Sequence, residues 1–502
     1  MSSPIQAQTS MSIVRNVAFG SLTWFLPLGL SFVATPMIVR SLGNNDYGIY
    51  ALVLGFIGYS FTFNLGRPII RYVAEYRNSG QSEKIRNIIS ASFFLNLAVG
   101  AIGVLIICSL AGWLVREVFR IDPSEQTKAI QSLYLASSII FMSMLNQVFS
   151  SVILGLQRFD VYSKIFTVNG LLLIGGNIVL TYLGFGLLAL FWWNLGVLSL
   201  FSIFFAITAK KLLPEFGIRL RFGREALQLV LRHSAGTIGY QVLANVLLLF
   251  ERGWIAHRLG TEALTYYVVP MSLAMQLQAF ISSLVMVIFP LASELKNEPE
   301  KLLRLYTKST KVVSLLVVFV IACVLVQGKS FLTLWMGADF AEHTSTLFIL
   351  QVGCFGLLAI MSIAWQTTEG LGFPHFNAIA TGVSTTVGII LMIIFTNSYG
   401  IVGIGAARFI AFATIFSFVF YVERKFFRKV QIRFWLGLAG SLLLASAFAS
   451  ATELLVNSIL QLGWITLIAS VGLGALVYAG ILWALGFVTS DEKILLRSIL
   501  GR

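Results

Sequence analysis

Long apolar stretches alternate with short polar ones along the whole chain, a pattern typical of proteins with many membrane-spanning helices. A spanning helix needs about 20 mostly apolar residues. Hydropathy averaged over windows of about 19 residues finds fourteen such stretches. In chain order, segments 1 to 14 are 13–39, 47–65, 88–114, 129–153, 162–183, 184–209, 234–257, 265–290, 311–330, 346–367, 377–397, 400–422, 434–456 and 463–487. The sequence therefore predicts an all-α polytopic membrane protein with about 14 transmembrane helices.

The amino-acid composition favours a lipid environment over water. Of the 502 residues, 57% are hydrophobic and 11% are charged, and the mean hydropathy is +0.87. Soluble domains carry about 25% charged residues, and a soluble chain this apolar would expose large adhesive patches. Segment 1 is longer than the apolar part of a signal peptide, so we interpret it as a retained transmembrane helix.

The basic residues lie mainly on one side of the predicted membrane. With loops assigned alternately, and residues at the very ends of segments counted with the adjoining loop, 27 of the 35 Lys and Arg residues fall on the side of both termini, 6 fall on the other side and 2 lie deep within segments. Cytoplasmic loops carry such an excess, so both termini are predicted to be cytoplasmic. The net charge of +14 then reflects topology and attraction to anionic lipid, and we expect no nucleic acid binding.

An internal repeat divides the chain into two similar halves. The stretch "IVRSLGNNDYGIY" (38–50) resembles "IAHRLGTEALTYY" (255–267), in which Leu259-Gly260 takes the place of Leu42-Gly43. Further pairs follow in the same order at a nearly constant spacing: "RYVAEY" (71–76) with "PLASEL" (290–295), "GLQRFDVYSKI" (155–165) with "GLGFPHFNAI" (370–379), and "YLGFGLLAL" (182–190) with "YGIVGIGAA" (399–407). Repeats of this kind build two-lobed transporters.

The repeat predicts the domain organisation. Segments 1–6 and 7–12 form two six-helix lobes. Six spans return the chain to the side on which it started, so the two lobes are parallel in the membrane. The predicted lobes are 1–232 and 233–430, and 431–502 holds the accessory segments 13 and 14 with a cytoplasmic tail. Two such lobes facing each other can alternate access to a cavity between the two sides of the membrane.

Cysteine and histidine residues form no pattern of a disulfide framework or a metal site. Cys108, Cys323 and Cys354 lie inside or at the edge of apolar segments, three cannot all pair, and no CxxC occurs. The four histidines are scattered without ligand spacing. We therefore expect no metal and no organic cofactor.

Four stretches carry a family resemblance: "RSLGNNDYGIY", "NLGRPIIRYVAEY", "GLQRFD" and, in the second half, "LLLFERGWIAHRLG". They resemble the polysaccharide transporter family, which includes the Wzx-type flippases of the multidrug/oligosaccharidyl-lipid/polysaccharide superfamily. The resemblance covers the whole chain. One departure is Glu251, where an Asp is more usual in the family, and we expect its role to survive that change.

The resemblance implies a function as well as a fold. It implies a multi-pass protein of the cell (inner) membrane, not an enzyme, that moves a polyprenyl-(pyro)phosphate-linked oligosaccharide from the inner to the outer leaflet for cell-surface polysaccharide synthesis. Other polysaccharide-assembly proteins are possible partners. The fold needs no partner subunit, so we expect a monomer.

Polar residues within the membrane are the candidates for contact with such a substrate. Segment 7 places Gln241, Asn245 and Arg252 within about 40° of one another on one helical face, with Glu251 beside them. Guanidinium donors match phosphate oxygens, and amides can bond sugar hydroxyls. Further candidates are Gln276 in segment 8, Arg408 in segment 12, and Arg67 and Arg71 at the inner end of segment 2. A purely helix-packing role for these residues stays open.

Three other polar or aromatic residues are given structural roles. We expect Glu453 to lie at the outer membrane interface, and Trp192 and Trp193 to pack against helices or lipid.

No ATP-binding motif is found, so the energy for transport has to come from gradients or from substrate supply. A proton or a sodium ion could reset the cavity, with Glu251 as a possible carrier. Two other functions stay open. A cation-coupled multidrug or metabolite exporter has the same architecture but typically 12 helices and acidic residues in segment 1. A membrane-embedded polysaccharide polymerase or ligase would have a longer outward loop.

Overall fold

A computed structural model describes residues 29–61, 65–76, 81–214, 216–219 and 223–487, and it is helical, without strands, in those ranges. The first half of segment 1 lies outside the described residues. The helices are α1 Gly29–Leu42, α2 Asn44–Phe61, α3 Arg67–Tyr76, α4 Ser82–Trp113, α5 Gln126–Gly155, α6 Phe159–Tyr182, α7 Leu187–Leu212, α8 Arg224–Val285, α9 Ile288–Glu294, α10 Pro299–Met336, α11 Ala338–Gly370, α12 Pro374–Thr414, α13 Phe416–Phe427, α14 Ile432–Ile459 and α15 Trp464–Ala484. A π-helical turn, Leu114–Val118, extends α4, and a 3-10 turn, Leu295–Asn297, follows α9.

The helices confirm the predicted class of an all-α membrane protein. Ten helical stretches in the described ranges are long and apolar enough to cross a membrane. Where the structure describes them, the fourteen segments fall on helices, although segments 7 and 8 share α8 and segments 11 and 12 share α12, with segment 12 continuing into α13. Each of these long helices is interrupted by one glycine with non-helical backbone, Gly260 (φ 86°, ψ 173°) in α8 and Gly400 (φ 54°, ψ −135°) in α12, so each consists of two helices joined across a kink.

The backbone confirms the internal repeat. Four positions with positive φ in the first half have counterparts with positive φ in the second half. The pairs are Gly43 (81°) with Gly260 (86°), Arg120 (50°) with Gly337 (108°), Gln157 (58°) with Gly372 (89°), and Gly184 (81°) with Gly400 (54°). The residue numbers within each pair differ by almost the same amount. Left-handed conformations are uncommon outside glycine, so their recurrence in register indicates two copies of one backbone design.

The chain folds as two units that divide between Thr265 and Tyr266. In the first unit, α5 is the central helix and packs against α2, α3, α4 and α7. In the second unit, its counterpart α11 packs against α9, α10, α12 and α13, and α14 and α15 pack on each other and on α10. The lobe boundaries at 232 and 430 stay a prediction.

The short helix α3 was not expected from hydropathy, because it is amphipathic and too short to span a membrane. It buries Pro68, Ile69, Tyr72 and Val73 against α4 and α5, while Arg67 and Arg71 stay exposed. These two basic side chains therefore lie on the surface of the first unit.

Candidate functional site

The helices α2 and α8 run antiparallel along each other in the first unit and form a contact that we call the α2–α8 seam. It comprises residues 44–59 of α2 and residues 245–265 of α8. One end of the seam brings Asn245 to Tyr59, and the other brings Thr265 to Asn44. The seam begins at the Gly43 bend on one helix and ends just beyond the Gly260 bend on the other, so both copies of the repeated motif lie at the same end.

Two glycines let the helices of the seam approach closely. Gly48 and Gly55 are seven residues apart and so lie on one face of α2. A Cβ added at Gly48 would lie 1.9 Å from the backbone oxygen of Thr261, and one at Gly55 would lie 2.4–2.6 Å from the guanidinium of Arg252. Small residues at helix contacts are the usual means of close approach in membranes. These two positions therefore have no space for a side chain.

Side chains of α8 donate hydrogen bonds to backbone carbonyls of α2 along the seam. A carbonyl oxygen has two lone pairs, so one that accepts a helical hydrogen bond can accept a second from a side chain. The donors and acceptors are Thr265 Oγ1 to Asn44 O (2.5 Å), Arg252 Nη1 to Ala51 O (2.5 Å) and Asn245 Nδ2 to Tyr59 O (2.9 Å). The acceptors follow one another at intervals of seven and eight residues, which keeps them on one face of α2.

Arg252 is the central residue of the seam. Its side chain is 8% exposed, and its guanidinium carbon lies 5.2 Å from the centre of the Tyr59 ring. Within the described part of the chain, its Nε has no hydrogen-bond partner. A buried guanidinium with an unused donor is a costly group, and here it is held by one carbonyl, one aromatic ring and the space above Gly55.

Further polar contacts close the end of the seam at the two bends. Thr261 donates to the Asn45 side chain, and Asn44 Nδ2 donates to Glu262 Oε1 at 3.4 Å. Lys128 of α5 then pairs with Asp46 at 2.7 Å, which ties α2 to the central helix. This end is therefore fixed by polar side chains of three helices.

A cavity of about 400 Å³ lies beside the seam, between α2, α8 and the π-helical turn after α4. Its lining includes Phe56, Phe119, Phe250 and Trp254, with His257 at its edge. His257 Nδ1 lies 2.8 Å from the carbonyl oxygen of Val118. A hydrogen bond between these two atoms requires the proton on Nδ1. The cavity is mostly apolar and suits lipid or the face of a sugar ring.

The remaining residues predicted for the site lie in different places. Glu251 is buried beside Arg252, and Gln241 is half-buried on α8. In the second unit, Gln276 is half-buried, and Arg408 is buried with its guanidinium 4.8 Å from the Phe355 ring centre. Arg67 and Arg71 are exposed on α3. The first unit thus brings Arg252 and Asn245 together at Tyr59, and a substrate-binding role for all eight residues stays a prediction.

Two structural expectations have different outcomes. The expectation that Glu453 lies at the outer membrane interface stays a prediction, because burial does not fix depth in the bilayer; its side chain is 1% exposed and packed between α10 and α15. Trp193 packs as expected: its Nε1 donates to Leu172 O at 3.1 Å, and its ring fills the space above Gly176. Trp192 is exposed.

The sequence analysis missed the residues of α2 that receive α8. Gly48 appeared in the repeated bend motif and Gly55 in an apolar segment, neither with a role in helix contact, and Tyr59 was not singled out. The seven-residue spacing of Gly48 and Gly55 was the available signal, since two glycines on one helical face mark a close helix contact.

Comparisons with known proteins agree on the kind of protein. A family model described as "Polysaccharide biosynthesis protein" matches residues 37–345. A putative O-antigen transporter of Shigella flexneri is 20% identical over 403 residues, which cover 78% of this chain and 93% of that protein. The uncharacterized membrane protein EpsK of Bacillus subtilis (strain 168) is 23% identical over 513 residues, with coverages of 97% and 98%.

Solved structures show the same fold. The inward closed conformation of the lipid II flippase MurJ superposes with a TM-score of 0.71 at 15% identity, over 97% of this chain and 100% of that one. An inward-facing multidrug transporter of the MATE family gives a TM-score of 0.62 at 16% identity, over 79% and 93%. At these identities the likeness establishes the fold. The family match covers more than half of the chain, so the protein belongs to the polysaccharide biosynthesis family of membrane transporters, as the resemblance in its sequence implied.

Proposed function

We propose that the protein is a flippase that moves a polyprenyl-(pyro)phosphate-linked oligosaccharide from the inner to the outer leaflet of the cell (inner) membrane. The observation that carries the proposal is the extent of the fold match. The lipid II flippase covers 97% of this chain, whereas the MATE transporter covers 79%. The family match adds polysaccharide assembly as the setting.

The chemistry of such a substrate explains why a protein is needed. A glycan head is covered with hydroxyl groups, and its pyrophosphate is anionic. Transfer of an isolated ion into hydrocarbon costs tens of kcal/mol in the Born limit. The protein must supply a hydrated, cationic path for the head while the lipid tail stays in the bilayer.

The α2–α8 seam supports a mechanism of alternating access. In this proposal the seam is closed at the side that the charge distribution predicts to be external, and it parts when that side opens. Its hydrogen bonds are all donated by side chains, so breaking them leaves the helical hydrogen bonds intact. Parting releases the guanidinium of Arg252 and the amide of Asn245, which can then bond phosphate and sugar oxygens.

Leaflet translocation in liposomes tests this function. Purified protein is reconstituted with a fluorescent polyprenyl-pyrophosphate oligosaccharide, and a sugar-binding protein reports the glycan that reaches the opposite leaflet. Arg252→Ala is compared with Arg258→Ala, which removes an exposed arginine of the same helix. We expect translocation by the wild type and the Arg258 variant and its loss in the Arg252 variant.

The other outcomes are equally informative. Translocation retained in Arg252→Ala would keep the flippase and assign Arg252 to helix packing alone. Absence of translocation with several glycolipids, together with gradient-driven export of a cationic dye, would replace the flippase by the exporter.

A further inference from the structure

Two glutamates are buried in the second unit, one surrounded by hydrogen-bond donors and the other almost without them. Glu423 of α13 is fully buried and accepts three hydrogen bonds, from Tyr306 Oη (3.2 Å), Trp435 Nε1 (2.7 Å) and the backbone N–H of Gln431 (2.8 Å). An ionised carboxylate is acceptor-only and is stabilised by such donors. This is the surrounding of a carboxylate that keeps its charge.

Glu453 of α14 is 1% exposed and has almost no donors. The thiol of Cys323 lies 3.3 Å from Oε1 and is a weak donor. Within the described residues, Oε2 is buried without a hydrogen-bond partner. The space for the carboxyl group exists because residue 474 of α15 is glycine, where a Cβ would lie 2.6 Å from Oε1.

The polar residues next to Glu453 bond to one another and leave the carboxyl group without their donors. Asn457 Nδ2 donates to Gln327 Oε1 at 2.9 Å, and Gln327 Nε2 donates to Ser470 Oγ at 2.5 Å. The Ser470 hydroxyl lies 3.4 Å from the backbone oxygen of Glu453. These amide and hydroxyl groups are satisfied away from the carboxyl oxygens.

The titratable groups that face Glu453 add no positive charge. They are Cys323 from α10 and, one turn beyond Gly474 on α15, Tyr478, whose hydroxyl donates to Leu315 O at 2.9 Å. No lysine, arginine or histidine of the described ranges faces the carboxyl group. An unpaired anion in this position would keep the full cost of its desolvation, and uptake of a proton removes that cost.

We propose that Glu453 is a proton-binding site of the transport cycle and is held as the neutral carboxylic acid in this conformation. The proposal deepens the proposed function and rests on it for the link to transport. It assigns the proton-binding role to the accessory helix α14, outside the two repeated six-helix lobes, whereas the sequence alone had suggested Glu251.

Infrared spectroscopy tests the protonation state without any transport. The purified protein is studied at neutral pH in a detergent without ester groups, and the C=O band of protonated carboxylic acids is compared among variants. We expect the band in the wild type, its loss in Glu453→Gln and its retention in Glu423→Gln. A Glu453→Gln spectrum with the wild-type band intensity would show that Glu453 is ionised and would overturn the proposal.

Thermal unfolding shows whether loss of the C=O band comes from loss of the fold. Glutamine resembles a neutral glutamic acid, so Glu453→Gln is expected to unfold at the wild-type temperature, whereas Glu423→Gln is expected to unfold at a lower one. Glu453→Asp keeps the acid, and we expect it to keep a protonated C=O band. Loss of that band in the Asp variant, with the fold intact, would contradict the assignment.

Translocation in liposomes tests the link to the transport cycle. We expect a pH gradient to stimulate glycolipid translocation by the wild type and by the Arg258→Ala control. We expect it to have no effect on Glu453→Gln. Unchanged stimulation in Glu453→Gln would overturn the role in the cycle. A wild-type protein that moves no glycolipid would refute the proposed flippase, and the infrared result would still decide the protonation of Glu453.

Discussion

Substitution of Gly48 by alanine is expected to open the α2–α8 seam. The added Cβ would lie 1.9 Å from the backbone oxygen of Thr261, whereas ordinary contacts begin near 3.4 Å. The obstructing atom belongs to the backbone and cannot rotate away, so the two helices must move apart until the contact is relieved. The matched control is Gly58→Ala on the same helix, where no atom lies within 4 Å of the added Cβ.

The expected shift in free energy between the closed and the open seam follows from the hydrogen bonds nearest the added methyl group. Separation stretches the bonds from Thr265 to the Asn44 carbonyl and from Thr261 to Asn45. Side-chain hydrogen bonds between membrane helices contribute about 0.6 kcal/mol on average and up to about 1.7 kcal/mol. Loss of two bonds thus shifts the seam toward the open state by roughly 1–3 kcal/mol, or about 5- to 150-fold in population.

Alkylation of a cysteine placed in the seam measures that population. Ala51 lies between Gly48 and Gly55 on α2 and is 7% exposed, so Ala51→Cys reacts only when the seam opens. In a background without the native cysteines, the alkylation rate is expected to rise by the same factor in Gly48→Ala and to stay unchanged in Gly58→Ala. Equal rates in the two variants would refute the reasoning.

Three further substitutions test other contacts. Arg252→Met removes the charged donor to α2, worth about 1.5 kcal/mol, so alkylation in the seam should rise about tenfold; a wild-type rate would contradict this. Gly176→Ala places a Cβ 2.0 Å from the Trp193 ring and should cost about 1–3 kcal/mol. Its thermal unfolding midpoint should fall below that of Gly175→Ala, which meets no atom within 4 Å. Glu423→Gln puts an amide N–H against hydrogen-bond donors and should destabilise the protein by about 3 kcal/mol, and an unchanged midpoint would argue against its charged state.

The membrane-spanning helices could be predicted from the sequence because hydropathy reports the solvent that each segment needs. The same signal separated segments 7 and 8 at Gly260, where a non-helical residue (φ 86°, ψ 173°) divides α8 into two helical parts. It could not find α3, whose ten residues are polar on one face. Hydropathy averages over a window of about 19 residues, which is longer than α3.

The candidate site could be predicted only in part, for a related reason. Arg252 was recognised because a charge inside an apolar segment is rare and costly. Gly55, which makes room for that charge, has no polarity to mark it. The burial of Glu453 depends on how α10, α14 and α15 pack, and no pattern within α14 alone records that packing.

The repeat explains why the two halves share a backbone and differ in chemistry. In the register that pairs Gly43 with Gly260, Arg252 corresponds to Thr35 and Gly55 corresponds to Ser272. The backbone bends therefore survive in both copies, while the buried charge and the glycine that receives it each occur in one copy. A symmetric pair of helices would have had an arginine at both positions, and each buried guanidinium would carry its own desolvation cost. In the mechanism that we propose, a single arginine against a glycine-lined helix is held in the closed state and released to an anion in the open one.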